Sequence, residues 1–449
     1  MFDLVIKFSG YFFTICIVLF LYYGVAYTLD IGNLTNKSHK NAIPIGRSLI
    51  VLIHILAFLI LSYKKDTISY DIDTIILGAL SLAFIIIVNI LVGKIYKDSC
   101  PLIWNCVFFL LDIGIITLQR LSPELAFKQI IWIMLGFFIV IWIPLALKFI
   151  PRFEYFEKLY IILSFALILS TLVLGREEYG STNWIYIGSF GFQPSEAVKF
   201  LFIFYLASVF RKKVELKELL GTGILSAGIC VLLVLQKDLG SSLIFFMTYM
   251  VMLYVATSNE VLFFGGMGAF SVASVFAYNI FGHVRVRVSA WQNPWADIDV
   301  GGYQIAQSLF AICTGGLLGS GLTRGMPLSI PVVSKDFIFA AICEEFGVLF
   351  GICLIGIFLL LFTRGISIAI NNTRRYYSLL AAGFTAMMAF QTFLIIGGVV
   401  KFIPLTGVTL PFISYGGSSI VVSIVTIGIL QWLCGWQSLP EEEEVREIE

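Results

Sequence analysis

The chemistry in this sequence is concentrated in one stretch, Asn293-Pro294-Trp295-Ala296-Asp297-Ile298-Asp299, where two carboxylates stand between aromatic residues and a glycine pair. Either carboxylate can act as a general base or as a metal ligand; the competing reading is an acidic turn former. Just upstream, His283-Val284-Arg285-Val286-Arg287-Val288 alternates with period two, which predicts an extended segment with His283, Arg285 and Arg287 on one face. Paired guanidiniums match phosphate oxygens bidentately. The stripe therefore reads as a seat for a lipid phosphate or pyrophosphate, or more simply as an anchor for anionic headgroups. Downstream, Gln304, Gln307 and Ser308 share one helical face and Ile305, Leu309 and Ile312 the other, the pattern of a half-inserted helix lining a polar cavity.

Further charges fall inside or at the edge of apolar runs, where ionisable groups are costly and are functional suspects. Glu196 and Lys199, three apart at a helix start, can pair; the pair is either a structural bridge or a substrate contact. Asp238, within Gln236-Lys237-Asp238-Leu239-Gly240, is a helix cap or a site residue. Asp336 begins a run that carries Glu344 and Glu345 about two turns on, and these acids must face protein or water. Lys401 precedes Pro404, Thr406 and Gly407, and then Pro411-Phe412-Ile413-Ser414-Tyr415-Gly416-Gly417-Ser418-Ser419, whose small and hydroxyl residues suit helix packing as well as a ligand.

The elements that must position these groups are membrane helices. Hydrophobic residues make up 59% of the 449 positions and charged residues 13%, against about a quarter charged in a soluble domain. Apolar runs long enough to cross a bilayer recur at roughly 9–28, 47–63, 74–93, 102–119, 129–148, 158–175, 197–210, 218–235, 240–256, 260–281, 336–362, 378–398 and 412–435. The fold class is thus an all-α polytopic membrane protein. The first run lacks a basic leader and a small-residue cleavage site, so it reads as a retained span rather than a signal peptide. Basic clusters at Arg211, Lys212, Lys213 and Lys217 and at Arg364, Arg374 and Arg375 mark cytoplasmic loops. Alternation then puts segments 176–196, 282–335 and 399–411 outside, together with Met1. The eight cysteines and three histidines are scattered, which argues against a zinc site or a serine-type triad, and there is no basic or aromatic ladder for nucleic acid. The tail 436–449 is acidic and reads as a solvated cytoplasmic end.

Five separated motifs, in this order, resemble the SEDS family of FtsW, RodA and SpoVE proteins. Phe192-Gln193-Pro194-Ser195-Glu196 with Lys199 is similar to FQPSExxK, and Gln236 to Gly240 to QPDLG. Asn293 to Asp297, continuing through Gly302-Tyr303-Gln304 and Gln307-Ser308, is similar to NPWxDPxGxGYQxxQS. Asp336-Phe337-Ile338-Phe339-Ala340 with Glu344-Glu345-Phe346-Gly347 resembles DFIFAxxxEExG, and Pro404 to Ser419 resembles PxTGxxLPFxSYGGSS. The resemblance spans about 102–435 and implies a ten-helix core with the long outer loop 282–335; residues 1–101 add about three helices with no assigned role.

The resemblance implies a cell-wall glycosyltransferase of the bacterial cytoplasmic membrane that polymerises lipid II on the extracytoplasmic face, in cell division, cell shape or sporulation. Its expected partner is a class B penicillin-binding transpeptidase. The essential acid of the outer loop falls on Asp297, the expected general base, with a divalent cation (Mg or Mn) in an assisting role and Asp297 and Asp299 as its available ligands. Arg285, Arg287, Glu196, Lys199, Asp238, Gln304, Gln307, Ser308, Asp336, Lys401, Ser414 and Tyr415 are the expected substrate-binding set. Departures from the pattern mark a divergent subfamily: Ile298 replaces a proline and is followed by an extra Asp299, Lys237 replaces the proline of QPDLG, Lys401 stands at a usually small position, and Val332 replaces an acid. Two rivals remain, a flippase for a lipid-linked precursor and a non-catalytic scaffold for a transpeptidase; both predict that Asp297→Asn is tolerated.

Overall fold

The structure is a computed structural model that describes residues 2–29, 35–64, 68–149, 153–178, 181–188, 190–212, 215–296 and 302–435. Asp297, Asp299, Lys213 and the acidic tail lie outside the described residues. Because lipid offers no hydrogen-bond partners, each apolar run satisfies its own backbone as a helix. In chain order these are α1 (Phe2–Thr28), α2 (Thr35–Ser62), α3 (Ile72–Ile95), α4 (Pro101–Leu121), α5 (Pro123–Phe149), α6 (Glu157–Leu174), α7 (Pro194–Phe210), α8 (Leu216–Leu235), α9 (Leu239–Thr257), α10 (Glu260–Ile280), α11 (Gly282–Gln292), α12 (Tyr303–Gly315), α13 (Ile338–Phe346), α14 (Val348–Asn371), α15 (Arg375–Val399) and α16 (Gly417–Gly435). Twelve are long and apolar enough to cross a membrane. The protein is a multi-pass membrane protein.

Helix α4 is the hub of the bundle: 19 of its positions, from Leu102 to Leu121, are buried, and it packs against α2, α5 and α14. Trp104 and Phe108 interlock there with Phe137 of α5, Phe108 and Phe137 stacking at 5.4 Å. Helix α7 carries the charged Glu196 and Lys199 and survives because α6, α9 and α15 surround it. At the opposite extreme, α10 has no buried residue, as expected of a helix wetted by lipid.

Two expectations are corrected. The predicted strand at 283–288 is the helix α11, so Arg285 and Arg287 point to different sides; a lone strand at a membrane surface has no partner for its backbone, whereas a helix needs none. The predicted span 336–362 is broken in two. Gly347, at φ +98° and ψ 158°, separates the short buried helix α13 from α14. Helix α12 packs on α13, and four backbone hydrogen bonds join residues 316–321 to 344–349, among them Ser320 N to Glu344 O at 2.9 Å and Val348 N to Gly316 O at 2.9 Å. Among the described residues, the strands form a two-stranded pair of β1 (Tyr63–Lys64) and β2 (Ser69–Tyr70) and an antiparallel sheet of β3 (Arg176–Glu178), β4 (Ser181–Ile187) and β5 (Phe190–Phe192), with Ile185 opposite Phe192.

The Gly347 conformation belongs to a region open essentially to glycine alone, so Gly347→Ala should cost about 1–3 kcal/mol. The check is a lower thermal midpoint in detergent with wild-type helix content before melting.

Candidate functional site

A cavity of about 320 Å³ opens where the sheet, α7, α9, α11, α12 and the segments before α13 and α16 converge. Each of the five sequence motifs contributes to its wall: Gln193 and Glu196 from the first, Lys237 and Asp238 from the second, Gln304 from the third, Asp336 from the fourth, and Thr406 to Thr409 from the fifth. Arg287 and Lys335 complete a lining that holds three acids and three bases.

Asp238 caps α9. Its Oδ1 accepts from Ser241 N at 3.0 Å, and its Oδ2 accepts from Ser241 Oγ at 2.8 Å, Asn183 Nδ2 at 2.7 Å and Gln193 Nε2 at 3.1 Å. One carboxylate thus ties β4, the start of α7 and the start of α9 into a rigid corner, and a cap with charge-assisted bonds is the strong kind. The capping role that the sequence left open is present, on a residue that also lines the cavity.

Glu196 and Lys199 form a buried ion pair at 2.8 Å. Lys199 Nζ also donates to Gln391 Oε1 at 2.9 Å, and Gln391 Nε2 donates to the Thr409 carbonyl at 2.9 Å. The chain of bonds runs from the cavity wall on α7 through α15 to the 405–411 segment. Lys199 does not reach the cavity itself; it sets Glu196, whose Oε2 is buried with no hydrogen-bond partner among the described residues.

Arg287 enters the cavity from α11 and donates to the carbonyls of Leu405 at 3.2 Å and Thr406 at 2.8 Å. Burial works against its charge, and Asp238 and Asp336 support it. Opposite, burial pushes the Asp336 carboxyl up to about 6, against the pull of Lys335 and Arg287. Gly407, at φ +74°, lies between them: a methyl group there would stand 3.8 Å from Asp336 Oδ2 and 3.9 Å from Arg287 Nη2. Lys335 Nζ lies 5.6 Å from the Trp184 ring centre. His283, one turn before Arg287, is held below its usual pKa by burial and then by Arg287 and Lys237.

The other expected residues sit elsewhere. Arg285 is exposed and, among the described residues, reaches the Asn279 carbonyl at 3.4 Å. Ser308, expected to face the cavity, is fully buried and donates to Ile305 O and Val399 O, which fastens α12 to α15. Gln307 is half-buried off the cavity. Lys401, at φ +60°, accepts from Trp291 Nε1 at 3.1 Å through its carbonyl and so seats α11. Ser414 Oγ donates to Lys335 O, and Tyr415 N donates to Ser334 O at 2.8 Å, so both brace the segment carrying Asp336. Glu345 pairs with Arg120 at 2.9 Å, away from the cavity. Asn183, Trp184, Lys335 and Gln391 were not singled out from sequence; an asparagine and a tryptophan flanked by β-formers announce only a strand. Among the described residues no three His, Cys, Asp or Glu side chains gather as a cation site. Asp238 is saturated by protein donors, and the expected cation ligands Asp297 and Asp299 lie outside the described residues.

The FtsW, RodA and SpoVE cell cycle protein model matches residues 102–435. The chain belongs to that family. It is 33% identical over 368 residues to the peptidoglycan glycosyltransferase RodA of Mycobacterium tuberculosis, covering 75% of this chain and 77% of that one. Stage V sporulation protein E of Bacillus subtilis is 34% identical over 301 residues, 64% of this chain and 82% of its own. The fold is shared with a chain from a solved peptidoglycan synthase complex, at a TM-score of 0.65 and 24% identity over 76% of this chain and 99% of that one. The SEDS fold is therefore the frame on which this cavity is built.

Asp336 yields a signed pH dependence. The folded carboxyl holds its proton up to about pH 6, whereas a free aspartate releases it near 3.9. The folded state binds the proton more tightly, so this contribution is complete below about pH 4 and is lost as pH rises towards about 6. Thermal midpoints across that window should fall more steeply for wild type than for Asp336→Asn; parallel curves would show that Asp336 titrates as an ordinary aspartate.

Proposed function

We propose that this chain joins lipid II units into glycan strands at the extracytoplasmic end of a bacterial cytoplasmic membrane. The observation that carries the reading is the convergence of five distant motifs on one cavity lined by both cationic and anionic groups. The glycosyltransferase class follows from family membership and from identity with a named peptidoglycan glycosyltransferase over three quarters of the chain. Placing the cavity end outside is supported by the basic residues Arg211, Arg374 and Arg375 at the helix ends and turns of the opposite side. A class B penicillin-binding transpeptidase is the partner that the family resemblance supplies.

In the proposed reaction the 4-hydroxyl oxygen of an acceptor sugar bonds to the anomeric carbon of the donor. The bond from that carbon to the pyrophosphate oxygen breaks, undecaprenyl pyrophosphate leaves with the electron pair, and the hydroxyl proton passes to a carboxylate. A neutral hydroxyl needs a base, whereas a pyrophosphate leaves readily once its charge is met. Asp297 is the proposed base: Ala290 and Gln304, equally distant from it in sequence on either side, both line the cavity. Arg287 and Lys335 are the proposed counter-charges for the pyrophosphate, with Glu196 and Asp336 the acids that share the lining with them. Arg285 is left to the membrane surface.

The test is polymerisation of purified lipid II by the detergent-solubilised protein with its co-expressed transpeptidase. Wild type and Asp299→Asn should make glycan chains, and Asp297→Asn should be slower by at least about 100-fold. Chains at the wild-type rate from Asp297→Asn would remove it as base. No chains from wild type beside an active control enzyme would overturn the polymerase in favour of the flippase or scaffold.

A further inference from the structure

Helices α1 to α3 contribute nothing to the cavity lining, yet their attachment is highly specific. Helix α4 carries Asn105, Asp112 and Gln119 one heptad apart, all buried. Each meets a polar group from the N-terminal helices. Asn105 Nδ2 donates to Ile43 O at 3.0 Å, and Arg47 Nε donates to Asn105 Oδ1 at 3.4 Å. His54 Nδ1 lies 2.5 Å from Asp112 Oδ1, while its Nε2 lies 2.9 Å from the Gly78 carbonyl of α3. Gln119 Nε2 donates to Thr74 Oγ1 at 3.1 Å. The pairs 47/105 and 54/112 share one offset, so α2 and α4 run side by side in a seven-residue register. Polar groups in lipid are expensive unless matched, so three matched rungs admit one alignment and penalise slippage.

The same three helices also bear on the site from behind. At the cavity end of α1, Ile6 lies over Gly321, Gly10 meets the Leu318 carbonyl, and the Phe13 ring packs on Phe346 of α13 at 5.4 Å between centres. The 316–321 turn is hydrogen-bonded to the end of α13 through Ser320 and Gly321. Arg120, the residue after Gln119 on α4, grips Glu345 at 2.9 Å and the Gly325 carbonyl at 3.1 Å. Helix α13 begins two residues after Asp336, so whatever fixes α13 fixes that carboxylate at the cavity wall.

We propose that α1 to α3 form a positioning element for the site: the polar heptad on α4 locks them in register, and α1 then clamps α13 and the 316–321 turn so that Asp336 keeps its place. The proposal rests on the polymerase reading, because that is the site it serves. His54, Asp112 and Phe13 are positioning residues, acting through α13 rather than on substrate. Arg120 braces α13 from the core at Glu345, and Phe13 adds a contact from α1 at the neighbouring Phe346.

The experiment uses the full chain with its transpeptidase and reads hydrogen exchange and lipid II polymerisation side by side. Phe13→Ala should speed exchange at 316–321 and 338–346 while α5 and α16 stay protected. It should also lower kcat about tenfold with KM within about twofold. Phe13→Leu should restore both, and Ile6→Ala reads the same contact should Phe13→Ala fail to accumulate. His54→Leu strands the Asp112 carboxyl and should reduce yield, whereas His54→Leu with Asp112→Leu removes both polar groups and should recover yield and turnover. Wild-type kcat in a Phe13→Ala protein whose α13 exchanges faster, or unchanged exchange in that variant, would overturn the clamp. A folded double variant without turnover would give the pair a proton-transfer role and overturn the lock. Absence of glycan from wild type overturns the polymerase alone, since the exchange measurements still decide whether α1 holds α13.

Discussion

A charge within a bilayer has to be answered by another polar group, and the helices of this protein are arranged around that requirement. Lys199 is answered by Glu196 and Gln391, Asp112 by His54, Glu345 by Arg120, and Asp238 by four donors. His54 and Arg120 answer from other helices, Asp238 draws Asn183 and Gln193 from other segments beside Ser241 of its own helix, and the Glu196 and Lys199 pair recruits its third member from α15. Breaking any of them would leave a buried ion uncompensated, which is far costlier than never having had one. The pairs therefore select one packing of the bundle from the many that apolar helices alone would tolerate.

That selection explains how distant motifs build one cavity. The 405–411 segment is held by Gln391 from below and Arg287 from above, and Ser414 and Tyr415 hold the segment bearing Asp336. None of these contacts is with substrate, and all are made by residues whose types look catalytic in isolation. Ser414 and Ser308 are hydroxyls spent on backbone carbonyls. The residues left with capacity toward the cavity are fewer: Glu196, Arg287, Lys335, Asp336 and Gln304.

The helices and the motifs that meet at the cavity were legible because lipid permits so little: a long apolar run can only be a helix, and a charge within it needs a partner. Which side chains of those motifs line the cavity was not, since Ser308, Lys401, Ser414 and Tyr415 are spent on packing. What could not be read was direction. The valines of 284–288 favour a strand, but α11 forms because nothing beside it offers a sheet edge, and Arg285 and Arg287 part company as a result. The break at Gly347 was equally hidden, since an apolar run does not reveal where a turn is zipped to its neighbour. His54 and Asp112 passed unremarked for a further reason. They are 58 positions apart, and only the parallel register of α2 and α4 brings them into contact.

The departures from the family pattern have a common physical theme. Lys401 adopts φ +60°, a conformation in which the Cβ crowds the backbone carbonyl and which glycine adopts without that cost. Lys237 adopts φ +62° where the motif has proline, and proline cannot leave φ near −65°. This chain therefore makes the turn before Asp238 by a different backbone route. The carboxylate still reaches Asn183, Gln193 and Ser241, so what the fold preserves is the set of partners on Asp238 and not the path of the chain leading to it. The lysine that enters with the new path lies on the cavity rim, 3.2 Å from Glu177, adding a cation at the mouth of a site whose proposed ligand is a pyrophosphate.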